Sequence, residues 1–184
     1  MSSEYSDNLI NKILKLSKNK NWDIAVSEWE IVACDEDEEI SSICICGKEN
    51  IRYLFKIKNL KNNNILYPIG SSCIKKFERQ DLNEIVSIKE KLFKLLFAIE
   101  NKYYITLSSE YFSRKLLKYL YQQKCFKASK YNNFNPEEDY IFLLNMFNKQ
   151  NKSSITINQK NKITAIIMST IKPYLAKQLK RKDT

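Results

Sequence analysis

Two glycines in 184 residues leave this chain almost no freely turning backbone, and both, Gly47 and Gly70, lie beside cysteines. They stand in Cys44-Ile45-Cys46-Gly47 and in Gly70-Ser71-Ser72-Cys73. Glycine reaches backbone conformations closed to other residues and weakens helix and strand elsewhere. The placement therefore predicts sharp turns that bring Cys44, Cys46 and Cys73 together. Two thiolates one residue apart can grip a tetrahedral ion if the chain turns between and after them. Cys73 falls at a predicted helix start, where free amides and the helix dipole favour a thiolate.

Five cysteines, an odd number, suit four metal ligands and one spare. The chain has no histidine, so a zinc site must be built from thiolates, with at most an Asp or Glu. The expected ligands are Cys34, Cys44, Cys46 and Cys73, with zinc in a structural role. Cys125 or an acidic side chain from residues 35–39 is an alternative to Cys34 as the fourth. Cys125, beside Phe126 in a helical stretch, reads more simply as a core residue, as free cysteines often are. The lack of histidine also removes the commonest general base and the Ser-His and Cys-His nucleophile systems. No phosphate-binding glycine loop is present, so the chain is expected not to be an enzyme and to have no small-molecule substrate.

The hydrophobic pattern divides the chain into an N-terminal helical segment (1–28), a β-hairpin module (29–80) and a basic helical region (81–184). Leu9, Ile10, Ile13 and Leu14 form the stripe of a helix over 6–18, capped by Ser6 or Asp7. Trp29, Ile31 and Ala33 alternate toward Cys34 as a strand, with Glu28 and Glu30 beside them. Residues 51–59 and 65–69 read as a hairpin turning at Lys61-Asn62-Asn63-Asn64, with Pro68 confining the second strand to an edge. Ser71 or Ser72 is expected to cap the helix that follows. Further helices are expected from Asp81, over 109–122, from Asn135-Pro136 and from Thr156, the last kinked or shortened by Pro173. The fold class is α+β: a zinc-stapled, treble-clef-like hairpin module packed with a C-terminal helical region.

Net charge is +10, unevenly spread: residues 1–50 carry −6 and residues 51–184 carry +16. A basic body points to a polyanion partner, nucleic acid or a nucleoprotein. Tyr111, Arg114, Lys115 and Lys118 are placed on the exposed side of one predicted helix. With Lys124, Lys127, Lys130, Lys160, Lys162, Lys172, Lys177 and Lys180 they are the candidate contacts to phosphate. Any one of them also suits a solvated helix face. The run Asp35-Glu36-Asp37-Glu38-Glu39 reads first as a solvated loop and second as a phosphate mimic that contacts a basic partner. No apolar run is long enough for a bilayer and the N-terminus lacks a secretory pattern, so no membrane partner and a cytoplasmic location are expected.

Residues 29–77 carry Trp29-Glu30, Cys44-Ile45-Cys46-Gly47, Ile57-Lys58-Asn59 and Ile69-Gly70-Ser71-Ser72-Cys73-Ile74-Lys75-Lys76-Phe77. This pattern resembles small zinc-binding accessory proteins of bacteriophages, plasmids and large DNA viruses. Ile69 stands where that pattern often has Val. The resemblance implies a mobile-element accessory protein working in a bacterial host cell. Such proteins include inhibitors of host defence nucleases, among them anti-CRISPR proteins acting on CRISPR effectors such as Cas9.

Overall fold

The computed structural model describes residues 4–180, the side chains of 178–180 excepted. It is an α+β protein with a three-stranded antiparallel sheet, in the order β1-β2-β3, and helices before and after it. The chain divides after Lys89 into two compact units.

In the first unit, α1 (Glu4–Leu16) and α2 (Trp22–Ser27) precede β1 (Trp29–Glu36), β2 (Tyr53–Asn59) and β3 (Ile65–Ile69), and α3 (Ser71–Lys75) follows. One core joins Leu9 and Ile13 of α1, Trp29, Phe55, Ile57 and Ile69 of the sheet, and Ile74, Phe77, Leu82 and Val86. Helix α1 starts before Ser6 and Asp7, which lie inside it rather than at its cap.

The strand alternation expected over 29–34 is broken by a bulge. Ile31 pairs with Ile57 but Ala33 with Lys56, so Val32 is the extra residue. A bulge flips every later side chain to the other face. Cys34 therefore stands opposite buried Phe55 and is half-buried, whereas Ala33 is exposed. A second irregularity, at cis Tyr67-Pro68, separates the pairs Phe55–Ile69 and Ile57–Leu66. It lies on edge strand β3, as the proline requires. In the hairpin turn Asn63 is left-handed, the conformation asparagine tolerates.

Glu28, expected on a strand, is instead the C-cap of α2 and is buried. Its carboxylate accepts hydrogen bonds from the amides of Lys18 and Asn19 and from Asn59 Nδ2, at 2.8, 2.9 and 2.7 Å. Burial pushes its pKa up, but the bonds from Asn59, Asn19 and Lys18 outweigh that and hold it below its ordinary value. Asn59 Oδ1 in turn accepts from the amides of Lys61 and Asn62. Asn62 and Asn64 both donate to the Leu16 carbonyl at the end of α1, and Trp29 Nε1 donates to Ser17 Oγ. One buried carboxylate thus ties the α1–α2 turn to the hairpin turn.

The second unit holds the C-terminal part of α4 (Gln80–Glu100), then α5 (Arg114–Gln122), α6 (Pro136–Asn148), α7 (Ile157–Ile166) and α8 (Lys172–Lys180). Caps set the starts: Ser113 accepts from the Leu116 amide, Asn135 precedes Pro136, and Thr156 with Gln159 forms a reciprocal capping box. Helix α5 is shorter than the 109–122 expected because Ser113 caps it; Tyr111 lies in the preceding turn and not on the helix. Between α7 and α8 the helix widens into a π-helical turn, Ile167–Ile171. Pro173 has no N–H to give the Ser169 carbonyl, so the ladder is rearranged here rather than ended.

Candidate metal centre

Residues 42–51 bend back on themselves between β1 and β2, with the Ile51 amide on the Ser42 carbonyl at 3.1 Å. At the tip the Gly47 amide donates to the Cys44 carbonyl at 2.8 Å, closing a tight turn around Cys46. Gly47 has φ +93°, where a side chain is strained. The Ile45 amide donates to the Pro68 carbonyl at 2.9 Å, which fixes this turn to the end of β3. From α1, Asn8 Nδ2 donates to the Cys46 carbonyl at 3.2 Å.

Cys73 arrives from the first turn of α3, whose N-cap is Gly70 and neither of the expected serines. Gly70 has φ −77° and ψ 156°, an ordinary extended conformation, so it is not the turning residue the sequence suggested. Its service is the amide, which donates to Cys44 Sγ at 3.3 Å. An added Cβ there would meet Ile51 Cγ2 at 3.4 Å, ordinary contact. Gly47→Ala is accordingly expected to cost roughly 1–3 kcal/mol in backbone strain. Gly70→Ala should fall within about 1 kcal/mol of wild type, both read by urea denaturation of the full chain.

Three buried sulfurs converge. Cys73 Sγ lies 3.3 Å from Cys46 Sγ and 3.6 Å from Cys44 Sγ, and all three ligand atoms lie within 4.8 Å of one another. A disulfide needs about 2.05 Å between sulfurs, and all five cysteines are free. Zn–S bonds of about 2.3 Å in a tetrahedron separate sulfurs by about 3.8 Å, close to the spacing found. Three cysteines so placed can hold a metal ion. At Cys44, donation from Cys73, with the amides of Cys46 and Gly70, outweighs burial and lowers the pKa to about 5. Cys73, the donor to Cys44, is pushed well above its ordinary value.

Cys34 does not join this cluster. It lies on β1, opposite Phe55, and Phe55 in turn pairs with Ile69. Strand β2 therefore stands between Cys34 and the end of β3, and each strand adds about 4.8 Å. Cys34 Sγ instead approaches the Asp35 carbonyl at 3.9 Å. Among the described residues no Asp or Glu of 35–39 brings a ligand atom to the three sulfurs either. Cys125 is fully buried in the second unit, its thiol raised to about 12 by burial, as befits a core residue.

The acidic run is only partly loop. Asp35 and Glu36 belong to β1, and Glu36 pairs with Arg52 at 2.8 Å. Asp37 is consumed in shaping the turn: Ser42 Oγ and the amides of Ser42 and Ser41 donate to it, holding its carboxyl down to about 2. Glu38 and Glu39 remain exposed at the tip.

The candidate basic contacts are scattered over the second unit. Arg114, Lys115 and Lys118 are exposed on α5, Lys124, Lys127 and Lys130 in the segment after it, and Lys160 and Lys177 on α7 and α8. Tyr111, Lys162 and Lys172 are half-buried. Lys162 faces the buried Asp139 carboxylate at 3.8 Å and lies over the Phe142 ring. The side chain of Lys180 lies outside the described residues. Asp139 itself, with Asn132 Nδ2 donating to it at 2.8 Å, was not foreseen. It occupies the first turn of a well-capped helix, which reads from sequence as a solvated dipole partner.

Among the described residues no helix is long and apolar enough to cross a membrane. No known protein family, curated protein or solved structure matches the chain.

Proposed function

We propose that this is a non-enzymatic accessory protein of a bacteriophage or other mobile element, with a zinc-stapled, treble-clef-like first unit and a second unit that binds nucleic acid or a nucleoprotein. The observation that carries the binding half is the division of charge. Residues 1–89 hold 13 Lys/Arg against 14 Asp/Glu, a net of −1, and residues 90–184 hold 18 against 7, a net of +11. Nearly all of the excess positive charge is thus confined to the helical unit, where solubility alone has no reason to confine it. The metal half rests on the three convergent thiols; Cys44, Cys46 and Cys73 would hold zinc, and the remaining position falls to a ligand outside this thiol set. Zinc supplies cross-linking here, joining the 44–47 turn to α3. The order of thiol turn, hairpin and helix supports the treble-clef likeness, and the motif of residues 29–77 supports the mobile-element origin.

The test is a salt titration of binding to labelled DNA and RNA. Affinity should fall linearly on logarithmic axes, and the combined variant Lys118→Gln, Lys124→Gln and Lys160→Gln should lower the slope by about one per phosphate contact removed. Absence of binding to bare nucleic acid, together with tight association with a host defence nuclease, would replace this reading by that of a nuclease inhibitor.

A further inference from the structure

Between α5 and α6 the chain spends its hydrogen bonds on holding two aromatic rings in solvent. Asn132 is fully buried and anchors the segment: its Nδ2 donates to the Lys127 carbonyl and to Asp139, and its Oδ1 accepts from the Ser129 amide. The Phe134 amide donates to the Ser129 carbonyl at 2.8 Å, and Asn133 Nδ2 bonds Glu138. On this anchored loop Tyr131 is 78% and Phe134 72% exposed. Phe134 has φ +58° and Asn133 φ +51°, so a bulky side chain is kept in the left-handed region. A loop free to relax would turn these rings inward.

The surroundings say what would cover them. Lys130 Nζ lies 5.1 Å from the Tyr131 ring centroid. Tyr131 also borders a cavity of about 310 Å³ whose wall includes Lys127, Ser129, Thr170 of the π-helical turn, and Lys177. Among the described residues the cavity's one carboxylate is Asp139, already answered by Asn132 and Lys162. The exposed Tyr131 ring beside ammonium and hydroxyl groups suits a ligand with flat faces and negative charge, and exposed Phe134, three residues on in the same anchored loop, offers a second flat face.

We propose that residues 129–135 form a base-stacking platform for single-stranded nucleic acid. Unpaired bases lie on Tyr131 and Phe134, while Lys127, Lys130 and Lys177 meet the adjoining phosphates. A duplex buries its base faces and cannot use the rings, so the platform selects single strands. This rests on the reading of the second unit as a nucleic-acid binder and adds the site and the strand form.

The experiment measures anisotropy of a fluorescein-labelled oligothymidine and of a labelled duplex of equal length, with the full chain. Tyr131→Ala and Phe134→Ala should each weaken single-strand binding about 5- to 100-fold and leave duplex binding unchanged; Phe134→Tyr should retain it. Phe134→Gly separates function from folding: glycine suits the left-handed backbone, so its melting temperature should hold or rise while single-strand affinity falls. Equal losses on strand and duplex, or no loss on either, would overturn the platform and leave the basic surface standing. Wild-type protein that binds neither probe would overturn both.

Discussion

With zinc held as proposed, Cys73→Ser should strip the metal and unfold the first unit. Both tryptophans of the chain, Trp22 and Trp29, belong to that unit, so tryptophan fluorescence reports on it alone. Structural zinc contributes on the order of 10 kcal/mol of apparent binding energy in small domains. A unit of this size has total stability of roughly 4–13 kcal/mol. The two magnitudes are comparable, so the unit should not survive loss of the ion. The expected result is absence of stoichiometric zinc by elemental analysis and red-shifted emission at room temperature. Cys44→Ser should behave alike. Cys34→Ser should keep the metal and melt close to wild type, because Phe55 and strand β2 separate that thiol from the other three. Full metal retention in Cys73→Ser, or metal loss in Cys34→Ser, would reject the three-thiol centre.

Glu28→Ala should destabilise the same unit by roughly 1–3 kcal/mol, the scale for leaving buried hydrogen-bond donors without an acceptor. The substitution leaves the amides of Lys18 and Asn19 and the Asn59 side chain without their acceptor. The carboxylate also writes a pH dependence. Its pKa in the fold is below the ordinary value of 4.5. Its contribution is therefore complete above about pH 4.5 and is lost as the pH falls through its lower folded value. Asp37, lowered from 3.8 to about 2, adds to the same acid limb at lower pH. Urea midpoints followed by tryptophan emission from pH 6 downward should decline in wild type and decline less steeply in Glu28→Gln. Parallel curves would show that Glu28 does not titrate with unfolding.

Local chemistry was legible in the sequence wherever one residue type has one use. Asn135-Pro136 and Thr156 mark helix starts, the asparagine run of 62–64 marks a turn in which Asn63 is left-handed, and Pro68 marks an edge strand. The thiol triad was legible because Gly47 flags the turn that makes it possible. What failed were inferences that needed register or partners. The alternation of Trp29, Ile31 and Ala33 does not hold to its end: Ala33 is exposed, since one extra residue at Val32 reverses it. Gly70 was assigned a turn and has an extended backbone.

The sequence by itself determined the α+β class, the zoning of charge and the convergence of Cys44, Cys46 and Cys73. The first two depend on composition and local pattern; the third reaches across 27 residues, from Cys46 to Cys73, but each end carries its own local mark, a glycine beside a cysteine. Only the tertiary structure decided that Cys34 is excluded by the strand between, that Glu28 and Asp139 are buried, and that Tyr131 and Phe134 are held in solvent. Burial is a relation between segments far apart in the chain, such as Glu28 with Asn59. A carboxylate or an aromatic ring carries no mark in the sequence of which side of that relation it will occupy.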